Sequence, residues 1–393
     1  MRAHSVVWLM TLLGAASARA AAGEPPDGGA VDGPTVKATA SLTDGLKVES
    51  SDGNYGVQAG ALMWARASLG VSRSATGANE ALFTDEFAVP LVRPYLKAHL
   101  LRPWFSVFLQ PEIAGPSPKL LDFEVDVHPL DELGVKVGQF ITPFGRSFMS
   151  PVPKLQLQGF ALASEVFRAN RDTGVMVYGA ALGGRLEYFA GGFNGNGIGQ
   201  PGNDDSSLLW VGRLAGTLFG RPPSTKGHVK YDETVALAND CPPTLMLGVN
   251  GYTNRTTPAV TSAAPVPASS TVDTAGADLA FAWRRVFAQA EGFLQRTTPD
   301  GGTLRSRWGW DAQVGVFVLP GRLEVAARAS MVRFAVDDPS SWLTQADAQL
   351  AWYLAGNHVK ALLRYTFTDA GSAQRGFSTG LTHGAVAQLQ LWL

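Results

Sequence analysis

Residues 121–128 read Leu-Asp-Phe-Glu-Val-Asp-Val-His, and this stretch decides the fold. Apolar and ionisable side chains alternate strictly along it. Because successive side chains of a β-strand point to opposite faces, the segment would have one apolar face and one ionisable face. An α-helix would scatter the same residues around its circumference. The stretch therefore predicts a β-strand that separates an apolar environment from an aqueous one.

The same period of two recurs along most of the chain. Between Val57 and Leu393, about sixteen segments of roughly ten residues can be marked as half-polar strands. They are centred near residues 64, 95, 108, 124, 137, 177, 189, 212, 248, 278, 290, 313, 327, 350, 362 and 388.

The composition excludes two broad classes of protein. Of the 393 residues, 46% are hydrophobic and only 17% are charged, whereas a soluble domain carries about 25% charged residues. Beyond the first twenty residues, no apolar run reaches the roughly 18 residues that a spanning helix needs. The chain is thus neither a helical membrane protein nor a typical charge-rich cytosolic enzyme. A net charge of −1 gives no indication of a nucleic-acid partner.

The spacing of the strands points to a membrane barrel. Tight turns such as Gly183-Gly184 and Pro320-Gly321 alternate with long polar segments over 142–171, 195–206, 221–243 and 369–382. Outer-membrane barrels have short periplasmic turns and long extracellular loops, and only alternate residues of each strand touch lipid. We therefore expect an all-β transmembrane antiparallel β-barrel over 57–393. Alternation alone leaves a secreted β-sandwich or β-helix open.

The N-terminus carries an export signal. A basic start, an apolar stretch over 6–16 and the sequence Ala18-Arg19-Ala20 predict a signal peptide over 1–20. Residues 21–56 are rich in Gly, Pro, Asp and Ala and predict a disordered periplasmic lead-in. The expected location is the bacterial cell outer membrane. With Cys241 as the sole cysteine, no intramolecular disulfide can form.

Several motifs follow one another between residues 120 and 197. They are VGQF at 137–140, PFG at 143–145, RDTGV at 171–175, GRLEY at 184–188 and FNGNG at 193–197. Their order and spacing resemble the phosphate-selective porin O and P family, and weaker similarity extends over about 90–393. The resemblance implies a sixteen-stranded, often trimeric barrel with a loop folded into the pore. That loop would lie at 142–171.

Seven cationic residues are the candidates for lining the pore. We expect Arg146, Arg168 and Arg171 at the constriction, and Arg93, Lys97, Arg328 and Arg364 on the wall. Cations in a narrow, partly dehydrated pore raise the local concentration of anions. An alternative role for Arg171 is to anchor the loop by pairing with a wall carboxylate such as Asp122 or Glu124.

The predicted lumen carries charges of both signs. The polar faces also bear the carboxylates Asp122, Glu124, Asp126, Glu291, Asp311, Glu324 and Asp347. A mixed lumen favours a general or weakly anion-preferring pore over a phosphate-selective one. The predicted function is therefore passive diffusion of small hydrophilic solutes or ions, phosphate among them, through a homotrimeric outer-membrane porin in contact with lipid. No nucleic-acid partner is expected.

Two other functions are kept as alternatives. An outer-membrane barrel hydrolase would need a Ser and a His in hydrogen-bond contact, for which Ser330, His358 and His383 are the candidates. A non-conducting structural barrel is the other. The six histidines form no metal-binding motif, and neither a metal nor a cofactor is predicted.

Overall fold

The computed structural model describes residues 36–74, 81–200, 202–223, 231–257, 269–371 and 380–393. The predicted signal peptide over 1–20 and the first part of the predicted lead-in, 21–35, lie outside the described residues. Within the described ranges, no helix is both long and apolar enough to cross a membrane.

Sixteen antiparallel strands form a closed barrel. Each strand pairs with the next along the chain, and the last strand returns to pair with the first from Gly380↔Ser74 to Trp392↔Leu62. The strands are β3 (Gly56–Ser74), β4 (Ala81–His99), β5 (Phe105–Glu112), β6 (Lys119–Leu130), β7 (Leu133–Ile141), β8 (Arg171–Ala181), β9 (Leu186–Phe193), β10 (Leu209–Phe219), β11 (Cys241–Thr256), β12 (Ser270–Arg284), β13 (Val286–Pro299), β14 (Arg305–Leu319), β15 (Leu323–Arg333), β16 (Trp342–Ala355), β17 (Val359–Ala370) and β18 (Gly380–Trp392). Each predicted centre falls in a different strand, so the predicted barrel is confirmed.

A short hairpin precedes the barrel. Its strands are β1 (Val36–Ser41) and β2 (Gly45–Ser50), which pair with each other. Residues Leu46–Glu49 of β2 also pair with the start of β3. The sequence predicted disorder over 21–56, whereas residues 36–50 form strands. The difference arises because β1 is fully exposed: its pairing depends on backbone hydrogen bonds, which leave little trace in the hydropathy pattern.

Burial in the barrel is inverted relative to a soluble protein. In β6, Asp122 and Asp126 are 5% and 3% exposed, whereas Phe123 is 46% exposed. Large apolar side chains are exposed around the whole barrel, including Leu69, Phe87, Val137, Trp210, Leu214, Val249, Trp283, Val314, Leu350 and Leu363. The polar faces therefore line the interior, and the apolar faces form the outer, lipid-facing surface.

The connections alternate between two rims because neighbouring strands are antiparallel. Long connections on one rim are 142–170, 194–208, 257–269, 334–341 and 371–379, and short turns on the other are 131–132, 182–185, 320–322 and 356–358. The connection over 220–240 belongs to the short-turn rim, because it follows an even number of strands after the 182–185 turn. The prediction that grouped 221–243 with the extracellular loops was therefore wrong. The number of preceding strands determines the rim on which a connection lies, and the length of the connection does not.

The segment predicted as the constriction loop folds into the barrel. It contains a one-turn helix (Arg146–Met149), a 3-10 turn (Val152–Lys154) and a second short helix (Leu162–Phe167). Phe144, Leu157 and Phe167 in this segment are completely buried. The side chains of Phe144 and Phe167 belong to one apolar cluster with inward-facing aromatic residues of the wall, which include Phe140, Phe193 and Phe293. This packing keeps the segment folded inside the lumen.

Candidate functional site

The constriction loop, residues 142–171, is hydrogen-bonded to one half of the barrel wall. The amide of Gln158 donates to Gln349 Oε1 on β16 at 2.8 Å, and the amide of Ala163 donates to Ser330 Oγ on β15 at 2.9 Å. These bonds satisfy loop backbone groups that would otherwise be buried without partners. The loop therefore lies against strands β13–β18.

Two candidate pore cations hold this loop. Arg328 Nη1 donates to the carbonyl of Gly159 at 2.8 Å, and Arg364 donates to the carbonyl of Gln158. The charge of Arg328 is also paired with Asp347, at 2.9 Å. Both arginines face the interior as the alternation predicted, but their guanidinium groups contact the loop backbone. The structure thus places them as loop anchors on the wall.

A wall carboxylate binds the start of the first loop helix. Glu291 accepts hydrogen bonds from the amides of Arg146, at 2.9 Å, and Ser147, at 2.5 Å. The first N–H groups of a helix have no intrahelical partner, and negative charge is favourable there. Glu291 thus fixes the loop in the lumen through backbone contacts, which the sequence pattern did not reveal.

A cavity of about 460 Å³ lies between the constriction loop and the other half of the wall. The loop side is neutral and largely apolar, with Met149, Val152 and Phe160 facing the cavity. The charged lining comes from strands β4, β6 and β7 and from the start of β8: the cations Arg93, Lys97, Lys136 and Arg171, and the carboxylates Asp122 and Glu124. This cavity is the candidate solute passage.

Three of the four cavity cations are ion-paired. Arg171 Nε lies 2.9 Å from Asp122 Oδ1, and Lys136 Nζ lies 2.9 Å from Glu124 Oε2. Arg93 pairs with a carboxylate on the neighbouring strand β5, Glu112, at 2.7 Å. The bond to Asp122 matches the anchoring alternative considered for Arg171, which also lines the cavity.

Lys97 is the exception among these cations. It is exposed on the cavity-facing side of β4, and within the described residues it forms no ion pair. The residue opposite Lys97 on the neighbouring strand β5 is Phe108, whose ring lines the same cavity. No carboxylate therefore opposes Lys97 on β5. Its charge therefore acts on the cavity without a neutralising partner.

The two remaining candidate cations lie elsewhere. Arg168 pairs with Glu165 in a separate space of about 660 Å³ towards the long-loop rim, which Arg305 also lines. Arg146 is 2% exposed and lies over the ring of Tyr231, with 4.2 Å between the guanidinium carbon and the ring centroid. Among the seven candidates, the cavity therefore receives Arg93, Lys97 and Arg171.

Lys136 lines the cavity but is not among the seven candidate residues. The alternation Val135-Lys136-Val137 already indicated that its side chain faces the lumen. Its place on the cavity wall could thus have been found from the sequence, whereas its bond to Glu124 needed the register of β6 and β7.

The candidate hydrolase residues do not come together. Ser330 Oγ donates to the carbonyl of Trp310 at 3.1 Å. His358 Nδ1 contacts the carbonyl of Trp392 at 2.7 Å, and His383 Nδ1 contacts the Tyr365 hydroxyl at 2.6 Å. The three side chains therefore have separate partners.

Comparisons by sequence and by structure differ in outcome. No protein-family profile and no curated protein matches the chain. Among solved structures, the chain is similar to the anion-selective porin from Comamonas acidovorans, at 12% identity and a TM-score of 0.57 over 86% of this chain and 100% of that one. It is also similar to the outer membrane channel DcaP of Acinetobacter baumannii, at 10% identity and a TM-score of 0.55 over 87% and 99%. The chain is similar as well to OmpT, an outer membrane protein of Vibrio cholerae in a trimer form, at 9% identity and a TM-score of 0.55 over 86% of this chain and 99% of that one.

Identities this low establish a shared fold and nothing finer. That fold agrees with the closed strand order, the apolar outer surface and the inserted loop described above. A closed barrel satisfies all its backbone hydrogen bonds internally, as a membrane-spanning structure must. The chain is therefore a bacterial outer-membrane β-barrel with the fold of the porins.

Proposed function

We propose that this chain is an outer-membrane porin through which small hydrophilic solutes and ions diffuse passively. The observation that carries the proposal is the 460 Å³ cavity, in whose lining three of the four cations are ion-paired and the charge of Lys97 is left in excess among the described residues. An excess of positive charge beside a narrow, partly dehydrated passage attracts anions and lowers their entry barrier. The proposed pore therefore prefers anions to cations.

Phosphate is included among the proposed solutes. The support is the resemblance of residues 120–197 to the phosphate-selective porin O and P family. Asp122 and Glu124 lie in the same cavity and would oppose a doubly charged anion. We therefore propose a general anion-preferring pore that passes phosphate as one of several small anions.

We further propose that the protein is a homotrimer. The family it resembles is often trimeric, and OmpT of Vibrio cholerae has been solved in a trimer form. Light scattering on the detergent-solubilised protein, corrected for bound detergent, tests this proposal. A mass of one chain would contradict it.

Conductance across a planar lipid bilayer tests the porin proposal. We expect stepwise current increases after insertion of the folded protein, with a reversal potential in a KCl gradient that indicates chloride preference. Graded block of the chloride current by added phosphate would support phosphate passage. If a barrel that resists heat and detergent carries no current, the porin proposal fails, and the hydrolase and structural-barrel alternatives return.

The chloride preference is expected to increase as the pH falls. Burial raises the pKa of Glu165 above its ordinary value, although Arg168 partly offsets the effect. Glu165 therefore becomes neutral at a higher pH than an exposed glutamate. Its neutralisation leaves the positive charge of Arg168 uncompensated in the space towards the long-loop rim, through which anions would enter the proposed pore. Reversal potentials measured from pH 7.5 downward check this. A Glu165→Gln variant should have the low-pH selectivity throughout, and an unaltered pH dependence in that variant would contradict the assignment.

A further inference from the structure

A second segment enters the lumen, from the rim opposite the constriction loop. Residues Tyr231–Asn239, here called the inner insert, belong to the 220–240 connection on the short-turn rim. Tyr231, Glu233, Thr234 and Ala236 are all no more than 2% exposed. A connection at a barrel rim would ordinarily be solvated, so this burial shows that the insert lies inside the barrel.

Glu233 is the centre of the contact between the insert and the loop. Its carboxylate accepts hydrogen bonds from the amide of Gln156, at 3.0 Å, and from Ser147 Oγ, at 3.1 Å, both in the constriction loop. It also accepts bonds from Gln289 Nε2 on β13, at 3.1 Å, and Gln313 Nε2 on β14, at 2.9 Å. One buried carboxylate thus joins the insert, the loop and the wall.

Further contacts hold the insert itself in place. Asp232 pairs with Lys154 of the constriction loop at 2.8 Å. Thr234 Oγ1 accepts a hydrogen bond from Asn357 Nδ2, in a turn of the short-turn rim, at 2.7 Å. Ala236 packs into an apolar cluster with inward-facing wall residues, which include Met246, Phe287, Phe317 and Tyr353. The contacts of Thr234 and Ala236 involve no residue of the constriction loop, so they fix the insert independently of that loop.

The consequence concerns the width of the passage. The loop is anchored by the wall on one side, and its free side forms one border of the 460 Å³ cavity through Met149 and Val152. These residues lie between Ser147 and Gln156, the two positions that Glu233 binds. A shift of the loop at those positions would therefore move the cavity border directly.

We propose that the inner insert sets the position of the constriction loop from the periplasmic side, with Glu233 as its positioning residue. The inference rests on the proposed porin function, because it assigns to this contact the width of the solute passage. The narrow point of the pore is then defined jointly from both rims. The solute size limit of the pore then depends on the inner insert, although solutes need not contact the insert.

Conductance and amide exchange together test this proposal. In Glu233→Ala, Ser147 and Gln156 lose their acceptor, and we expect single-channel conductance to rise by about twofold or more because the loop border recedes. Hydrogen exchange of the amides over 146–158 should accelerate, while exchange in the barrel strands stays unchanged. Glu233→Gln, which keeps the shape and one acceptor oxygen, should fall between wild type and Glu233→Ala.

The matched control is Asp240→Asn. Asp240 lies in the same connection, is exposed and pairs only loosely with Arg221, at 4.0 Å, so neither conductance nor exchange should change. If Glu233→Ala does not fold, Glu233→Gln and Asp232→Asn decide the question by the same two measurements. Wild-type conductance and wild-type exchange in the folded variants would overturn the proposal. Faster exchange over 146–158 in a barrel that carries no current would instead support the positioning role and reject the porin function.

Discussion

Replacing Lys97 with glutamate is expected to abolish the chloride preference of the pore. Lys97 is the cavity cation without an ion-pair partner among the described residues, so its charge acts directly on passing ions. The positive charges of Arg93, Lys136 and Arg171 are each neutralised by a carboxylate in an ion pair. A change at Lys97 should therefore alter selectivity more than a change at any of these three.

The size of the effect follows from Coulomb's law. A unit charge acts on an ion about 8 Å away with about 2 kcal/mol at an effective dielectric constant of about 20. Lys97→Glu changes the charge by two units, and salt with a screening length of about 8 Å reduces the total to roughly 1.5 kcal/mol. This amount corresponds to roughly a tenfold decrease in chloride permeability. Potassium, which has the opposite charge, is favoured by the same amount, so the ratio of chloride to potassium permeability should fall by roughly a hundredfold.

Reversal potentials in a KCl gradient measure this ratio. Lys97→Gln should produce about half of the shift in reversal potential. The matched control is Lys37→Glu, which makes the same charge change on the exposed hairpin strand β1, outside the barrel. If Lys97→Glu and Lys37→Glu both keep the wild-type potential, Lys97 does not face the conducting path.

The strand pattern of the barrel could be predicted from the sequence because a closed membrane barrel repeats one physical constraint. Every strand must place apolar residues towards lipid and polar residues towards water, so alternation is strong at each of the sixteen sites. The hairpin strand β1 lacked this signal, since neither of its faces is buried. The rim of the 220–240 connection needed the strand count and could not be inferred from its length.

The roles of the candidate cations could be predicted only in part. Alternation correctly indicated that Arg328 and Arg364 face the interior, but it could not show that the constriction loop lies against that side of the wall. Arg146 was expected at the constriction as a loop cation, yet its side chain turns towards Tyr231 of the inner insert. These outcomes depend on contacts between segments far apart in the sequence, and the local alternation of apolar and polar residues carries no information about such contacts.

The largest effect on stability is expected from a single glycine. Gly248 lies on β11, between Arg213 on β10 and Asp278 on β12. The two charged side chains reach over the glycine and form a bidentate pair, at 2.5 and 2.9 Å, with both side chains almost completely buried. A Cβ at position 248 would lie 2.6 Å from Arg213 Nη2 and 2.6 Å from Asp278 Oδ2.

Gly248→Ala should therefore break this ion pair. Separating two buried charges costs about 3–5 kcal/mol, because each is left without its compensating partner. The same substitution in an ordinary strand position stabilises by roughly 0.5–1 kcal/mol, since alanine loses less backbone entropy on folding than glycine. Urea unfolding in detergent micelles, followed by tryptophan fluorescence, measures the difference.

Gly292→Ala is the matched control, because a Cβ there has no atom within 4 Å. We expect its unfolding free energy to equal or slightly exceed that of the wild type. A thermodynamic cycle then tests the cause, with Arg213→Ala and Asp278→Ala made together as one of its two changes. In that background the destabilisation by Gly248→Ala should largely disappear, because the clashing atoms are gone. A penalty that persists in that background would show that alanine at 248 disturbs the strand itself. The glycine would then have a role in the backbone of β11 and none in making room for the ion pair.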